Sequence, residues 1–351
     1  MKKPLINITP EILNLISEID EFKGQWKTIG MLMPEKLNQL RKVATIESIG
    51  SSTRIEGVKL SDQEVEKLLS NIGMQSFKTR DEQEVAGYAD AMQMIFDTYD
   101  EIRLTENHVK QMHSILLKYS TKDSRHKGDY KKLSNNVEAF DPDGKSLGII
   151  FQTTSPFDTP REMQELIEWT NNELEKKELH PLLVISAFVV YFLAVHPFQD
   201  GNGRLSRVLT TLLLMKSSYK YVPYSSLEKV VEENKESYYV SLRRSQKEML
   251  TDQADIGHWL LFFLRALQKQ KNSLQKKIDN LKLTTKLPEL SEKIIEVIKN
   301  QGRANMTELN QLTGSNKNTL KLRLRELVND NILTKHGAGK STYYTLNGVV
   351  L

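Results

Sequence analysis

An almost unbroken apolar run from Pro181 to Val195 stops at His196-Pro197, and a second apolar segment, Leu205 to Met215, begins just after Asp200-Gly201-Asn202-Gly203. The first run is too long and too rich in Leu, Ala and Phe for a lone strand, so it predicts a buried helix. The second predicts another. Pro197 disfavours helix at His196, and the two glycines of the connection are free to take positive φ, so a tight loop joins the two helices.

A glycine-rich turn that opens a helix gathers unpaired backbone N–H groups and the positive end of the helix dipole, which suits an anion. Arg204 and Arg207 fall in the first turn, where a cation opposes that dipole unless something negative sits nearby. A bound polyphosphate or a carboxylate partner would supply it. Asp200 is a hard-oxygen ligand suited to Mg²⁺ shared with phosphates, and His196 can take up a proton near neutral pH.

Upstream, Ser52 and Glu56 share a helix face at the i, i+4 spacing, and Gly57 is placed to close that helix. Ile149 to Thr154 is the best strand candidate of the central region.

The stretch from His196 to Arg207 resembles the Fic family motif His-Pro-Phe-x-(Asp/Glu)-Gly-Asn-Gly-Arg-x-x-Arg at every constrained position. The resemblance implies a mainly α protein with a Fic-type helical core, a small β-hairpin flap and a C-terminal winged helix. The implied activity is transfer of AMP from ATP to a Ser, Thr or Tyr hydroxyl of a target protein, or of the enzyme itself. His196 would be the general base, and Asp200 would hold Mg²⁺, or Mn²⁺ in its place, at the α- and β-phosphates. Asn202 with Gly201 and Gly203 would cradle the phosphates, Arg204 would neutralise them, and Arg207 would reach the γ-phosphate. Leu205 and Ser206 would complete the ATP-binding turn, with Phe198 packed inward. Ser52-x-x-x-Glu56-Gly57 resembles the family's inhibitory motif, in which Glu56 would pair with Arg207 and withhold it from ATP. Gly148, Ile149, Ile150 and Phe151 correspond to the flap over the nucleotide, although Thr153 and Thr154 stand where family flaps often carry proline. Tyr238 and Tyr239 resemble the pair that lines the adenine pocket, and Gln246 falls near the ribose position.

Other segments read as helices: one from Pro10 interrupted at Gly24 and Gly30, one from Pro34 to Ile49, then Ser61 to Asn71, Asp81 to Tyr99 and Thr105 to Tyr119. His108 and His113 read as ordinary surface or core histidines. Ile256 to Leu283 forms a linking helix whose apolar stripe offers a homodimer face. From Ser291 on, three short helices and a β-wing turned at Gly337-Ala338-Gly339 resemble a winged helix. Lys317, Lys321, Arg323 and Arg325, with Lys335 and Lys340 in the wing, form a basic face that would meet DNA or dock protein. The expected domains are 1–80 (regulatory helices), 81–255 (Fic core), 256–286 (linking helix) and 287–351 (winged helix).

The 351 residues include no cysteine, which excludes disulfides and thiolate metal sites. The start, Met1-Lys2-Lys3-Pro4, does not resemble a signal peptide, so a cytoplasmic protein without a membrane partner is expected. A net charge of +4 is too small to demand nucleic acid by itself. Two other functions fit the same residues: a nucleotide-sensing transcription regulator that binds DNA through the winged helix, and a deAMPylase in which Glu56 aligns a water against a phosphodiester.

Overall fold

The computed structural model describes residues 4, 6–32, 34–70, 77–140, 146–249, 254–284, 288–329 and 332–347. The chain forms two compact units, Met1–Lys23 with Lys42–Lys271, and Gly24–Arg41 with Asn272–Leu351.

Thr9 caps α1 (Pro10–Leu32), its hydroxyl accepting from the Ile12 amide at 3.3 Å. The expected breaks at Gly24 and Gly30 do not occur; the helix runs through both. A glycine costs a helix only about 1 kcal/mol relative to alanine. Ile19, Phe22, Trp26 and Ile29, buried at three- and four-residue spacing, outweigh that cost. Next comes α2 (Pro34–Ile55), which ends in a Schellman turn: the Val58 amide donates to Thr53 O at 3.2 Å and Gly57, at φ 105°, donates to Arg54 O at 3.0 Å. Gly57 therefore closes the helix as expected. The helices α3 (Asp62–Ser70), α4 (Arg80–Thr98) and α5 (Glu106–Leu116) follow, capped by Ser61, Thr79 and Thr105. The Asn71 end expected for the first of these lies outside the described residues.

A hairpin of β1 (Val137–Phe140) and β2 (Ser146–Phe151) pairs antiparallel, with Val137 opposite Phe151 and Ala139 opposite Gly148. The hairpin expected from the resemblance is present, but its first strand was not placed from the residues, because four residues containing Glu138 and Ala139 carry too little β-branched content to stand out.

Then come α6 (Thr159–Lys176), α7 (Pro181–Val195), α8 (Asn202–Lys216), α9 (Leu227–Glu233), α10 (Lys235–Met249) and α11 (Gly257–Thr284). Every residue of α7 from Leu182 to Leu193 is buried, so this helix is apolar all round because it is surrounded. It packs against α6, α8 and α10, while α4 and α5 cover α8. The α7–α8 pair is the centre of this unit, and the loop between them is held from several sides.

The chain ends in α12 (Glu289–Gln301), β3 (Ala304–Asn305), α13 (Met306–Thr313), α14 (Lys317–Asn329), β4 (Leu333–His336) and β5 (Tyr343–Leu346). The strands form an antiparallel sheet in the order β3-β5-β4, over a core that includes Ile294, Ile298, Leu309, Leu320 and Leu324. On α14, Lys317, Lys321 and Arg325 are exposed, but Arg323 pairs with Glu326 at 2.6 Å. One cation of the expected basic face is thus neutralised within its own helix. The protein is mainly helical, and among the described residues no helix is long and apolar enough to cross a membrane.

Candidate functional site

Helix α7 ends on His196 in the left-handed conformation, φ 51° and ψ 59°, its amide still bonded to Phe192 O at 2.9 Å. Pro197 cannot continue the helix. Phe198 turns fully inward and stacks on His113 with 3.8 Å between ring centroids. Asn202 closes the loop: Phe198 N donates to its Oδ1 at 2.9 Å, and its Nδ2 donates back to Phe198 O at 2.7 Å. Its side chain is therefore spent on shaping the loop, and only its backbone faces a ligand. Gly201, at φ 79°, is the cap of α8. The first intrahelical bond is Leu205 N to Gly201 O, so the amides of Asn202, Gly203 and Arg204 lack intrahelical acceptors, an arrangement suited to an anion. Leu205 and Ser206 are buried behind this turn, Ser206 Oγ donating to Gly203 O at 2.7 Å.

His196 Nδ1 lies 3.3 Å from the carbonyl of Leu193, an acceptor only, so the proton sits on Nδ1 and Nε2 keeps its lone pair. Burial pushes the imidazole down to about 4; the Leu193 carbonyl opposes this and the Lys131 charge adds to it. The ring is neutral at physiological pH, with Nε2 open to accept a proton. Asp200 is opposed by burial, yet Arg204, the Gly201 amide and Arg80 together hold its carboxyl below the usual range. It is ionised. Its Oδ1 accepts from Gly201 N at 2.6 Å and meets Arg204 at 3.3 Å, whereas Oδ2 has only Arg80 at 3.5 Å. Among the described residues no three His, Cys, Asp or Glu side chains gather to cage a metal. A carboxylate 32% exposed, with one oxygen in only a long contact with Arg80, beside a helix N-terminus suits Mg²⁺, which takes few protein ligands and completes its shell with water and phosphate.

Arg204 is 2% exposed and turns beneath the loop, where it meets Glu84 at 3.0 Å as well as Asp200. Glu84 in turn pairs with Arg80 at 2.7 Å. Arg204 is therefore placed to act on a ligand only through the carboxylate it orients. The pairing of Arg80 with Glu84 across one helical turn of α4 was readable as i, i+4 spacing; its closeness to Asp200 was not.

The residues Ser52 and Glu56 do meet Arg207. Its Nε donates to Ser52 Oγ at 2.7 Å, and its Nη2 donates to Ser52 O at 2.9 Å and to Glu56 Oε1 at 2.7 Å. Burial opposes the guanidinium charge, but Glu56 and its other partners outweigh it and raise its pKa. Among the described residues, Arg207 Nη1 is buried without a hydrogen-bond partner. Glu56 Oε1 also lies against the helix end, 2.3 Å from where a Cβ on Gly203 would be, so a side chain at 203 would make the carboxylate shift. Behind this contact, Arg54 grips Glu232 with two bonds of 2.7 and 3.0 Å and Asp62 at 2.9 Å, and Lys235 donates to Ile55 O at 2.7 Å. Arg54 stood in plain view between Ser52 and Glu56, but nothing local indicates a partner on α9.

On β2, Gly148 takes φ 107° and Ile149 is exposed, while Phe151 is buried; the Ile150 side chain lies outside the described residues. The strand packs beside α10. Tyr238 is buried, edge-on to Trp259 and Phe262, and lines one small cavity with Arg207. The cavity that it and Arg207 border is about 30 Å³, room for a water rather than a base. Tyr239 beside it is half-buried, and Gln246 is 4% exposed.

Residues 103–214 match the model of the Fic/DOC family. The chain is 25% identical over 235 residues to "Protein adenylyltransferase Fic" of Drosophila grimshawi and 26% identical over the same length to that of Drosophila melanogaster. These matches cover 66% of this chain and 43% and 42% of those proteins, so the chain spans less than half their length. Among solved structures, a Fic family protein from Desulfovibrio desulfuricans G20 aligns over 99% of both chains with TM-score 0.63 and 24% identity. A Fic domain containing signaling protein from Bacteroides thetaiotaomicron aligns over 74% of this chain and 97% of its own, with TM-score 0.58 and 23% identity. Both likenesses concern the fold.

Proposed function

We propose that this chain, a Fic family protein, transfers the AMP moiety of ATP to a hydroxyl side chain of a target protein and holds itself inactive through Glu56. The observation that carries the reading is the convergence of a neutral imidazole, an ionised carboxylate and a helix end whose arginine is occupied by a carboxylate from another helix. In the step envisaged, the target hydroxyl oxygen bonds to the α-phosphorus while His196 Nε2 takes its proton. The bond from that phosphorus to the α,β-bridging oxygen breaks, and pyrophosphate leaves. Bound Mg²⁺, held by Asp200, supplies charge neutralisation on the phosphates. The amides of Asn202, Gly203 and Arg204 bind phosphate oxygens, and Arg207 is the group suited to the terminal phosphate once released. Little covalent help is needed for such a transfer, so positioning and charge account for most of it.

Glu56 occupies both the guanidinium and the helix end, so a productive triphosphate and Glu56 compete for one place. The test uses α-labelled ATP and Mg²⁺ in cell lysate. The Glu56→Gly variant should label protein well above the parent, and adding His196→Ala should abolish the label, since loss of a general base costs about 10²–10⁴-fold. A folded, ATP-binding Glu56→Gly variant that labels no more than the parent would refute the inhibitory role. Undiminished labelling with His196→Ala would remove the base.

A further inference from the structure

We propose that Lys131 is the positioning residue for His196 and that, through Thr153, it ties the base to the root of the flap. This rests on the reading of His196 as the base. Lys131 is 3% exposed, and its ammonium gives its three protons to three neutral oxygens: Asn135 Oδ1 at 2.8 Å, Thr153 Oγ1 at 3.0 Å and Val195 O at 2.9 Å. Its own backbone amide donates to Pro197 O at 2.8 Å. Asn135 Nδ2 donates to His196 O at 3.0 Å and to Phe198 O at 2.6 Å. Two residues thus take hold of four consecutive carbonyls, those of 195 to 198.

That grip falls where the backbone needs it. His196 is a non-glycine residue at φ 51°, a conformation that costs energy and persists only where the surroundings over-determine it. The direction of the imidazole follows from that backbone, so whatever fixes the four carbonyls also aims Nε2. Thr153, two residues beyond β2, completes the arrangement by donating from Oγ1 to Asn135 Oδ1 at 2.9 Å while accepting from Lys131. Its amide also donates to Asn136 Oδ1 at 3.1 Å. A shift of the flap that carries Thr153 away removes a partner from Lys131 and Asn135 together, so seating a target segment on β2 and aiming the base become one event.

The test compares Lys131→Met and Thr153→Val in the Glu56→Gly background, as initial rates of labelled AMP transfer to lysate protein across a range of ATP concentrations. A small misplacement of a reacting group can cost about 10²-fold. Lys131→Met should therefore lower the maximal rate by about 10- to 100-fold with half-saturating ATP unchanged. Thr153→Val, which keeps the side-chain shape and removes only the hydroxyl, should move the same parameter by a smaller factor, with folding checked by circular dichroism. Maximal rates equal to the background protein in both variants would overturn the proposal, as would a loss confined to half-saturating ATP. Should Glu56→Gly itself label nothing, AMP transfer is refuted and the His196 ring still decides the positioning role by NMR titration of the parent background. Lys131, Glu56 and Asp200 are the charges that act on this ring. Removing the cation should raise the midpoint and broaden the ring signals in Lys131→Met, and an unchanged signal would overturn the proposal.

Discussion

Acid should destabilise this protein through His113, by an amount its contacts allow to be worked out. The ring is wholly buried, its Nδ1 accepting from Gly128 N at 2.9 Å and its Nε2 facing Asp200 O at 3.0 Å. The first contact requires a bare nitrogen and the second a proton, so only the neutral Nε2–H tautomer satisfies both. Protonation would set N–H against N–H. Burial carries the pKa down to about 4, against the pull of the Asp200 carbonyl. The unfolded ring titrates near 6.5. Because the folded value is depressed, the stabilisation is complete above the unfolded value and is lost as pH falls towards the folded one. Between pH 7 and pH 5 the unfolded ring gains a proton that the folded ring refuses, a loss of about 2 kcal/mol. His196, also held at about 4, adds a similar loss. Urea unfolding at the two pH values measures the sum, about 4 kcal/mol for the parent. His113→Gln, which offers an N–H and an oxygen but no titrating proton, should roughly halve it. An identical pH dependence in parent and variant would refute the assignment of the tautomer and of the burden.

Two further outcomes follow from the same geometry. Asp200→Ala in the Glu56→Gly background should lose most AMP transfer and its response to Mg²⁺, measured as label against metal concentration; an undiminished Mg²⁺ response would exclude Asp200 as the ligand. Glu232→Gln removes one carboxylate from a two-bond pair whose side chains are 23% and 27% exposed. Hydrogen bonds to charged groups contribute about 1.5–3 kcal/mol, so the variant should melt several degrees lower and exchange the Glu56 and Val58 amides faster. Unchanged exchange at those amides would show that Arg54 does not hold the end of α2.

The centre of the fold was legible because α7 and α8 are apolar over whole turns, because Pro197 disfavours helix at His196, and because the glycines of 201 and 203 leave the chain free to turn between them. Gly24 and Gly30 misled, since a helix penalty of one residue is local while burial of Trp26 and Ile29 is not. The contact of Glu56 with Arg207 spans 151 residues and leaves no trace in periodicity; only the shared motif pointed to it. Lys131 was invisible for another reason. A lysine in a polar, irregular stretch reads as solvated surface, and its burial depends on three oxygens, two of them from distant segments. Asn202, Arg204 and Tyr238 were recognised as important, yet their side chains turn inward, because residue type alone does not say which way a side chain faces.

Glu56 at the end of α8 is a ligand that cannot be diluted. A tethered group meets its site at an effective concentration of order millimolar, set by the helix that carries it and not by the amount of protein present. The apparent affinity of any competing triphosphate falls by the fraction of molecules in which the carboxylate has withdrawn. Under the inhibition proposed for Glu56, control is thus a property of the single molecule, the same at ten copies or ten thousand, and whatever loosens the end of α2 should change the nucleotide concentration at which the chain responds.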